Sequence, residues 1–267
     1  LLQLPLAQCT LAGGVAVALS TFSTPAELRY LIAASGISLL LFEDKVLKTD
    51  FAAMLANLEP QIISSAPGEL ASTTFPFLRQ FVRLDGLTGV YDSGATATGD
   101  IAAYESWETF IGRAAKVADA VMDARAATVT PADAGGLFFS SGTTSLPKGI
   151  LHAQRAFAIQ WWRWPRVMCV REPARAWTGN GFFWSGNISM IVGVAFSTGG
   201  AVILEPLFNA ESALQLIEAE RITFMNGRPH QWARLQAVPG YDQADFSSLR
   251  YVTRGEIIWA HPTVNTD

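Results

Sequence analysis

The sequence has 267 residues, of which 50% are hydrophobic and 16% charged, with 22 glycines and a net charge of −4. That balance excludes a disordered or fibrous chain and leaves room for one large or two small folded domains. No Lys/Arg run is present, so neither nucleic acid nor an anionic membrane surface is expected as the main partner. Cys9 and Cys169 lie far apart, and His152, His230 and His261 are scattered without ligand spacing. No disulfide framework or metal site is therefore expected, and a reduced, cytoplasmic setting fits.

The opening stretch "LLQLPLAQCTLAGG" is apolar but has no basic region and carries a bulky Gln directly before the Cys, where a small residue is expected, so it does not read as a signal peptide. Because it lacks an initiator Met, the chain is expected to begin inside a larger protein. Residues 13–42 read as strand, loop, helix, strand. Thr24, Pro25 and Glu27 form a capping box at the helix start, Gly36 is placed to end the helix, and "ISLLLF" has the run of a fully buried parallel strand. Residues 65–77 and 86–100 are loop-like, 104–126 look helical throughout, and "TPAD" (130–133) is a turn ahead of the strand "GGLFFS".

From Ala176 to Leu204 no charge occurs, yet six glycines and several Asn, Ser and Thr dilute the apolar content. Buried core segments are expected there rather than a membrane span. Residues 199–226 repeat the order of 13–42. Gly13, Gly14, Phe22 and Leu28 match Gly199, Gly200, Phe208 and Leu214 at one offset, which either a duplicated unit or ordinary βα chemistry would produce. The alternation predicts an α/β fold of layered, largely parallel sheets with flanking helices.

The most informative stretch is "FSSGTTSLPKG" (139–149), where an apolar strand runs into a loop and a short strand and helix follow. Gly142 and Gly149 allow consecutive N–H groups to turn toward one anion. Ser140, Ser141, Thr143, Thr144 and Ser145 add neutral donors, and Lys148 adds one compact cation. That combination describes a cradle for a polyphosphate. The spacing departs from the Walker loop, since the lysine precedes its glycine.

The same stretch resembles the phosphate-loop signature of the adenylate-forming superfamily, [YF]-[TS]-S-G-T-T-G-x-P-K-G, with Ser145 where Gly is usual. Seven fixed positions give a chance match on the order of 10⁻⁸ per start. The segments "AGGVAVALSTFSTPAELRYLIAASGISLLLF", "GFFWSGNISMIVGVAFSTGGAVIL" and "DFSSLRYVTRGE" resemble other parts of that family's large N-terminal domain.

The resemblance implies two related βαβ-containing subdomains, about 1–130 and about 131–267, incomplete at both ends and without the mobile C-terminal domain. It further implies an ATP-dependent acyl- or aryl-CoA ligase that activates a hydrophobic carboxylic acid as its adenylate, using Mg²⁺ and passing the acyl group to coenzyme A. The resemblance carries the nucleotide to residues 140–145, Lys148, Gly149, Gly255 and Glu256, with Lys148 as the catalytic cation, and the acid to Phe183 and Trp184. Trp184-Ser185-Gly186 stands where amino-acid-activating relatives have an Asp, which disfavours an ammonium-bearing substrate. Arg254 replaces the first of two glycines usual beside the adenine. Two alternatives remain open: an adenylation domain that loads a carrier protein, and a truncated, non-catalytic nucleotide-binding protein. A fragment on its own is expected to be inactive, and a homo-oligomer is left open.

Overall fold

The computed structural model describes residues 9–46, 48–84, 101–140 and 146–264. By contacts the chain forms two compact units, Leu1–His152 and Ala153–Asp267. The first runs β1 (Ala16–Val17), α1 (Pro25–Ser35), β2 (Leu39–Phe42), β3 (Lys45–Val46), β4 (Thr49–Asp50), α2 (Phe51–Leu58), β5 (Gln80–Arg83), β6 (Tyr104–Ser106), α3 (Trp107–Gly112), α4 (Asp119–Ala127), β7 (Ala134–Ser140) and β8 (Lys148–Ala153). The start of α1 is as its sequence dictates: Glu27 N–H donates to Thr24 Oγ1 at 3.3 Å and Thr24 N–H to the Glu27 carboxylate at 2.8 Å. Gly36 ends the helix at φ 63°. Leu28 and Ile32 of α1 then pack with Phe42, Phe51, Leu55, Phe75 and Phe81 into the core of this unit.

Two expectations change here. The strand β2 is parallel to β5, but only Phe42 is buried and Leu39–Leu41 stay partly exposed, because β2 is the edge of the β2-β5-β6 sheet. Residues 104–126 are not helical throughout. Tyr104 starts a strand parallel to β5, with its ring 4.8 Å from Phe42 and its hydroxyl donating to Ala52 O at 2.9 Å. Ser106 then caps α3, and a 3₁₀ turn, Arg113–Lys116, separates α3 from α4. The second sheet of the unit is β1-β7-β8, so β1 and β2 flank α1 yet pair into different sheets. Residues 86–100 lie outside the described residues.

The second unit runs α5 (Gln154–Val167), β9 (Arg175–Thr178), a helix α6 over 185–197 whose middle turn, Ile188–Val192, is π-helical, β10 (Ala201–Ile203), α7 (Ala210–Ala219), β11 (Phe224–Asn226), α8 (Pro229–Gln236), β12 (Tyr251–Thr253) and α9 (Glu256–Trp259). Its four strands are parallel in the order β10-β9-β11-β12. Successive strand residues face opposite ways. Trp177 and Met225 join Ile217 of α7 and Trp232 of α8 in one cluster, whereas Ala176 and Phe224 join Ile191 and Val194 of α6 in another. Helices therefore cover both faces, which is why residues 176–204 carry no charge. Among the described residues no helix is long and apolar enough to cross a membrane.

The Gly-Gly repeat has a local counterpart. Gly13 and Gly199 are left-handed (φ 76° and 70°), and each pair closes a helix with the same two bonds: Gly13 N to Thr10 O and Gly14 N to Cys9 O, Gly199 N to Phe196 O and Gly200 N to Ala195 O. A Cβ on Gly200 would sit 2.0 Å from Ala174 O, whereas one on Gly199 meets nothing. Gly199→Ala should therefore cost about 1 kcal/mol from backbone strain alone. Gly200→Ala should cost about 3 kcal/mol, because backbone must move. Urea unfolding of the two variants tests the order.

Candidate functional site

The first unit contributes the ends of the glycine- and hydroxyl-rich loop. Ser140 closes β7 and Lys148 opens β8, and Ser140 Oγ donates to Lys148 O at 3.4 Å. Tyr30 of α1 donates its hydroxyl to Pro147 O at 3.0 Å, which ties the approach to the lysine onto a capped helix. Lys148 is exposed and, among the described residues, has no ion-pair partner, so its charge is available to a ligand. A Cβ on Gly149 would press on Leu137 and Phe139 at 3.1 and 3.3 Å. Ser141, Gly142, Thr143, Thr144 and Ser145 lie outside the described residues.

In the second unit the remaining candidates collect at the carboxyl ends of the strands. Strand β9 leads into residues 179–184. There Phe182 packs into the cluster with Ile191 and Phe224, while Phe183 and Trp184 are partly exposed with ring centroids 5.2 Å apart. Strand β12 leads into Arg254, Gly255 and Glu256. Gly255 is buried, and a Cβ there would strike Val252 Cγ1 at 2.2 Å, so only glycine fits; Glu256 is exposed in the first turn of α9. Arg254 is exposed and held at φ 52°, a conformation that suits the glycine usual at this point.

Sequence reading missed the residues that hold these segments. Asn187 is 4% exposed and spends both ends of its amide: Nδ2 donates to Gly181 O at 2.7 Å, and Oδ1 accepts from Asn226 Nδ2 at 3.0 Å. Asn226 Oδ1 in turn accepts from Thr253 Oγ1 at 2.5 Å. Buried Gln231 donates to Gly179 O at 2.7 Å and accepts from Arg228 N–H at 2.8 Å, and Trp232 Nε1 donates to Thr253 O at 3.2 Å. The one signal available beforehand was a polar residue ending each apolar strand (Thr178, Asn226, Thr253). The opposite edge of the sheet carries a groove of about 430 Å³ containing Arg175, Arg221 and Arg250. Each of those guanidiniums faces a carboxylate, Glu220, Asp245 and Glu172 respectively, which makes the groove an ion-pair network. Among the described residues no group of three or more His, Cys, Asp or Glu could hold a metal ion.

With this geometry in place, comparison with known proteins is decisive: the family model described as "AMP-binding enzyme" matches residues 8–261. The chain belongs to the AMP-binding enzyme family. The YngI protein of Bacillus subtilis is 25% identical over 240 residues, 89% of this chain and 41% of that protein. The indoleacetate–CoA ligase of Aromatoleum aromaticum is 36% identical over 123 residues, 45% of this chain and 24% of that enzyme. The chain thus spans less than half the length of these AMP-binding relatives. Among solved structures, the anthranilate–CoA ligase AuaEII in complex with anthranoyl-AMP superimposes with a TM-score of 0.66 at 20% identity, covering 90% of this chain and 40% of that one. The N-terminal domain of FACL13 from Mycobacterium tuberculosis superimposes with a TM-score of 0.64 at 19% identity, covering 91% and 51%. The α/β architecture is that of the adenylate-forming N-terminal domain.

Left-handed backbone disfavours a β-carbon by about 1–2 kcal/mol, partly offset by the extra freedom glycine has when unfolded. Arg254→Gly should therefore raise stability by up to about 1 kcal/mol in urea unfolding; a loss of stability would show that the arginine side chain contributes more than its backbone costs.

Proposed function

We propose that this chain serves an ATP-dependent acyl- or aryl-CoA ligase that activates a hydrophobic carboxylic acid as its adenylate and passes the acyl group to coenzyme A. The observation that carries this reading is the exposed Lys148 at the end of "FSSGTTSLPKG", without an ion-pair partner among the described residues and with the loop's exit fixed by Tyr30 and Ser140, in a chain of the AMP-binding family. Attack by a carboxylate on an anionic α-phosphate requires charge to be neutralised where it accumulates. Lys148 and the loop's amides and hydroxyls, residues 140–145 and Gly149, would hold the departing β- and γ-phosphates, which is positioning and electrostatic stabilisation rather than proton transfer. Mg²⁺ would arrive with the nucleotide and supply further charge. The described residues offer it no cluster of ligands, so no step is assigned to it. Gly255 and Glu256 would border the nucleotide's base, and Phe183 and Trp184 the acid. Some relatives are named for aromatic acids (indoleacetate, ferulate, 4-chlorobenzoate) and others for a saturated bicyclic propanoate; all are acids with a large carbon body, which agrees with an apolar, aromatic wall. A cytoplasmic location and a role with fatty acids belong to the same proposal.

ATP–pyrophosphate exchange by the full-length protein, with indoleacetate, ferulate, 4-chlorobenzoate and straight-chain fatty acids, tests the reading; no exchange with any acid would overturn it. Lys148→Ala should lower exchange by about 10²–10³-fold with an unchanged unfolding midpoint, because the side chain is exposed and only charge stabilisation is lost. Trp184→Ala should change the ratio of kcat/KM between two acids by about tenfold or more while leaving KM for ATP unchanged.

A further inference from the structure

The strand order β10-β9-β11-β12 contains one reversal. From β9 the chain crosses to β10 on one side and then returns to β11 on the other, so the connections leaving β9 and β11 diverge at their carboxyl ends. In open parallel sheets that divergence opens the crevice in which ligands bind. The two strands end there in Thr178 and Asn226. Asn226 reaches both ways from this point, through Asn187 to Gly181 at the root of the Phe183–Trp184 segment, and through Thr253 to the Arg254–Gly255 turn. The helix that supplies Asn187 passes at once into a π-turn, Ile188–Val192, an uncommon conformation associated with functional sites. An apolar residue at 187 or 226 alone would leave Gly181 O or the Thr253 hydroxyl without its partner, so the two amides and the hydroxyl act as one series that ties both segments to the end of β11.

We propose that Asn226 is a positioning residue: through Asn187 and Thr253 it holds the acid-binding aromatic segment and the nucleotide-side turn in one fixed relation across the crevice. This rests on the function proposed above. The full-length protein and the most active acid of that panel provide the test, with KM for acid and for ATP measured by pyrophosphate exchange. Asn226→Leu, which loses a hydrogen bond at each end, and Thr253→Val, which loses the bond that ties the Arg254–Gly255 turn to Asn226 and so frees the two segments from each other, should each raise both KM values by about tenfold. Thr253→Ser, which keeps the hydroxyl, should stay within about twofold of the parent. Ser248→Ala removes a buried bond to Ile222 O at the opposite edge of the same sheet and should lower the unfolding midpoint while moving neither KM. Should Asn226→Leu fail to fold, the Thr253 pair decides. Both KM values unmoved in folded Thr253→Val, or only one moved, would overturn the proposal. Absence of exchange in the parent protein would instead overturn the functional reading beneath it.

Discussion

The second unit depends on how a parallel sheet ends. All four strands point the same way, so their last carbonyls and their polar end residues gather at one edge while helices seal both faces. Polar groups buried there must find partners within the protein, since each one left unpaired costs about 1–3 kcal/mol. Thr178, Asn187, Gln231 and their neighbours answer that demand with a linked set of amides and hydroxyls, and the loops take their paths from those bonds. The candidate residues at 183–184 and 255–256 stand on these loops, so their positions follow from satisfying the edge.

A regularity in the sequence now has a physical meaning. Three of the four strands at this edge end in a polar residue followed closely by glycine: Thr178-Gly179, Asn226-Gly227 and Thr253-Arg254-Gly255, β10 alone ending in Ile203. The polar residue bonds sideways, and the glycine lets the turning backbone lie against the neighbouring layer. At Gly227, for example, a Cβ would meet Trp232 at 2.5 Å. In the third case an arginine stands between the two, in left-handed backbone. Strain of this kind persists only where the surroundings impose it, and here β12 on one side and the buried Gly255 on the other leave Arg254 no alternative.

Much of this was legible beforehand because it is local. The Thr24–Glu27 box and the Gly36 stop each involve residues close to one another in the chain, so local geometry alone fixes them. Residues 104–106 were misread because their pattern continues smoothly into a helix, and the contacts that make them a strand come from Phe42, Ala52 and Phe81, far away in sequence. The amide network was invisible for the same reason. Its links join residues 39 and 27 positions apart, and a single Asn or Thr after an apolar run is too ordinary to stand out.

The electrostatic character of the two units bears on the kind of acid that suits them. From Ala176 to Leu204 the second unit has no charge, and the groups knitting its carboxyl edge (Asn187, Asn226, Gln231, Thr253) are all neutral. Neutral amides can be buried with their bonds made, whereas a buried ion would need a counter-ion and would lose its hydration. Under the proposed function, a network of neutral groups suits an apolar or aromatic body, with the carboxylates near this edge, Glu205 after β10 and Glu256 in α9, standing outside it. The reacting carboxylate and phosphates then require their positive charge from outside this network. The cation proposed for that task is Lys148 of the first unit, exposed at the start of β8 with Tyr30 bonded to the residue before it. Keeping charge on exposed side chains and out of the bonded network keeps the cost of burying charge low.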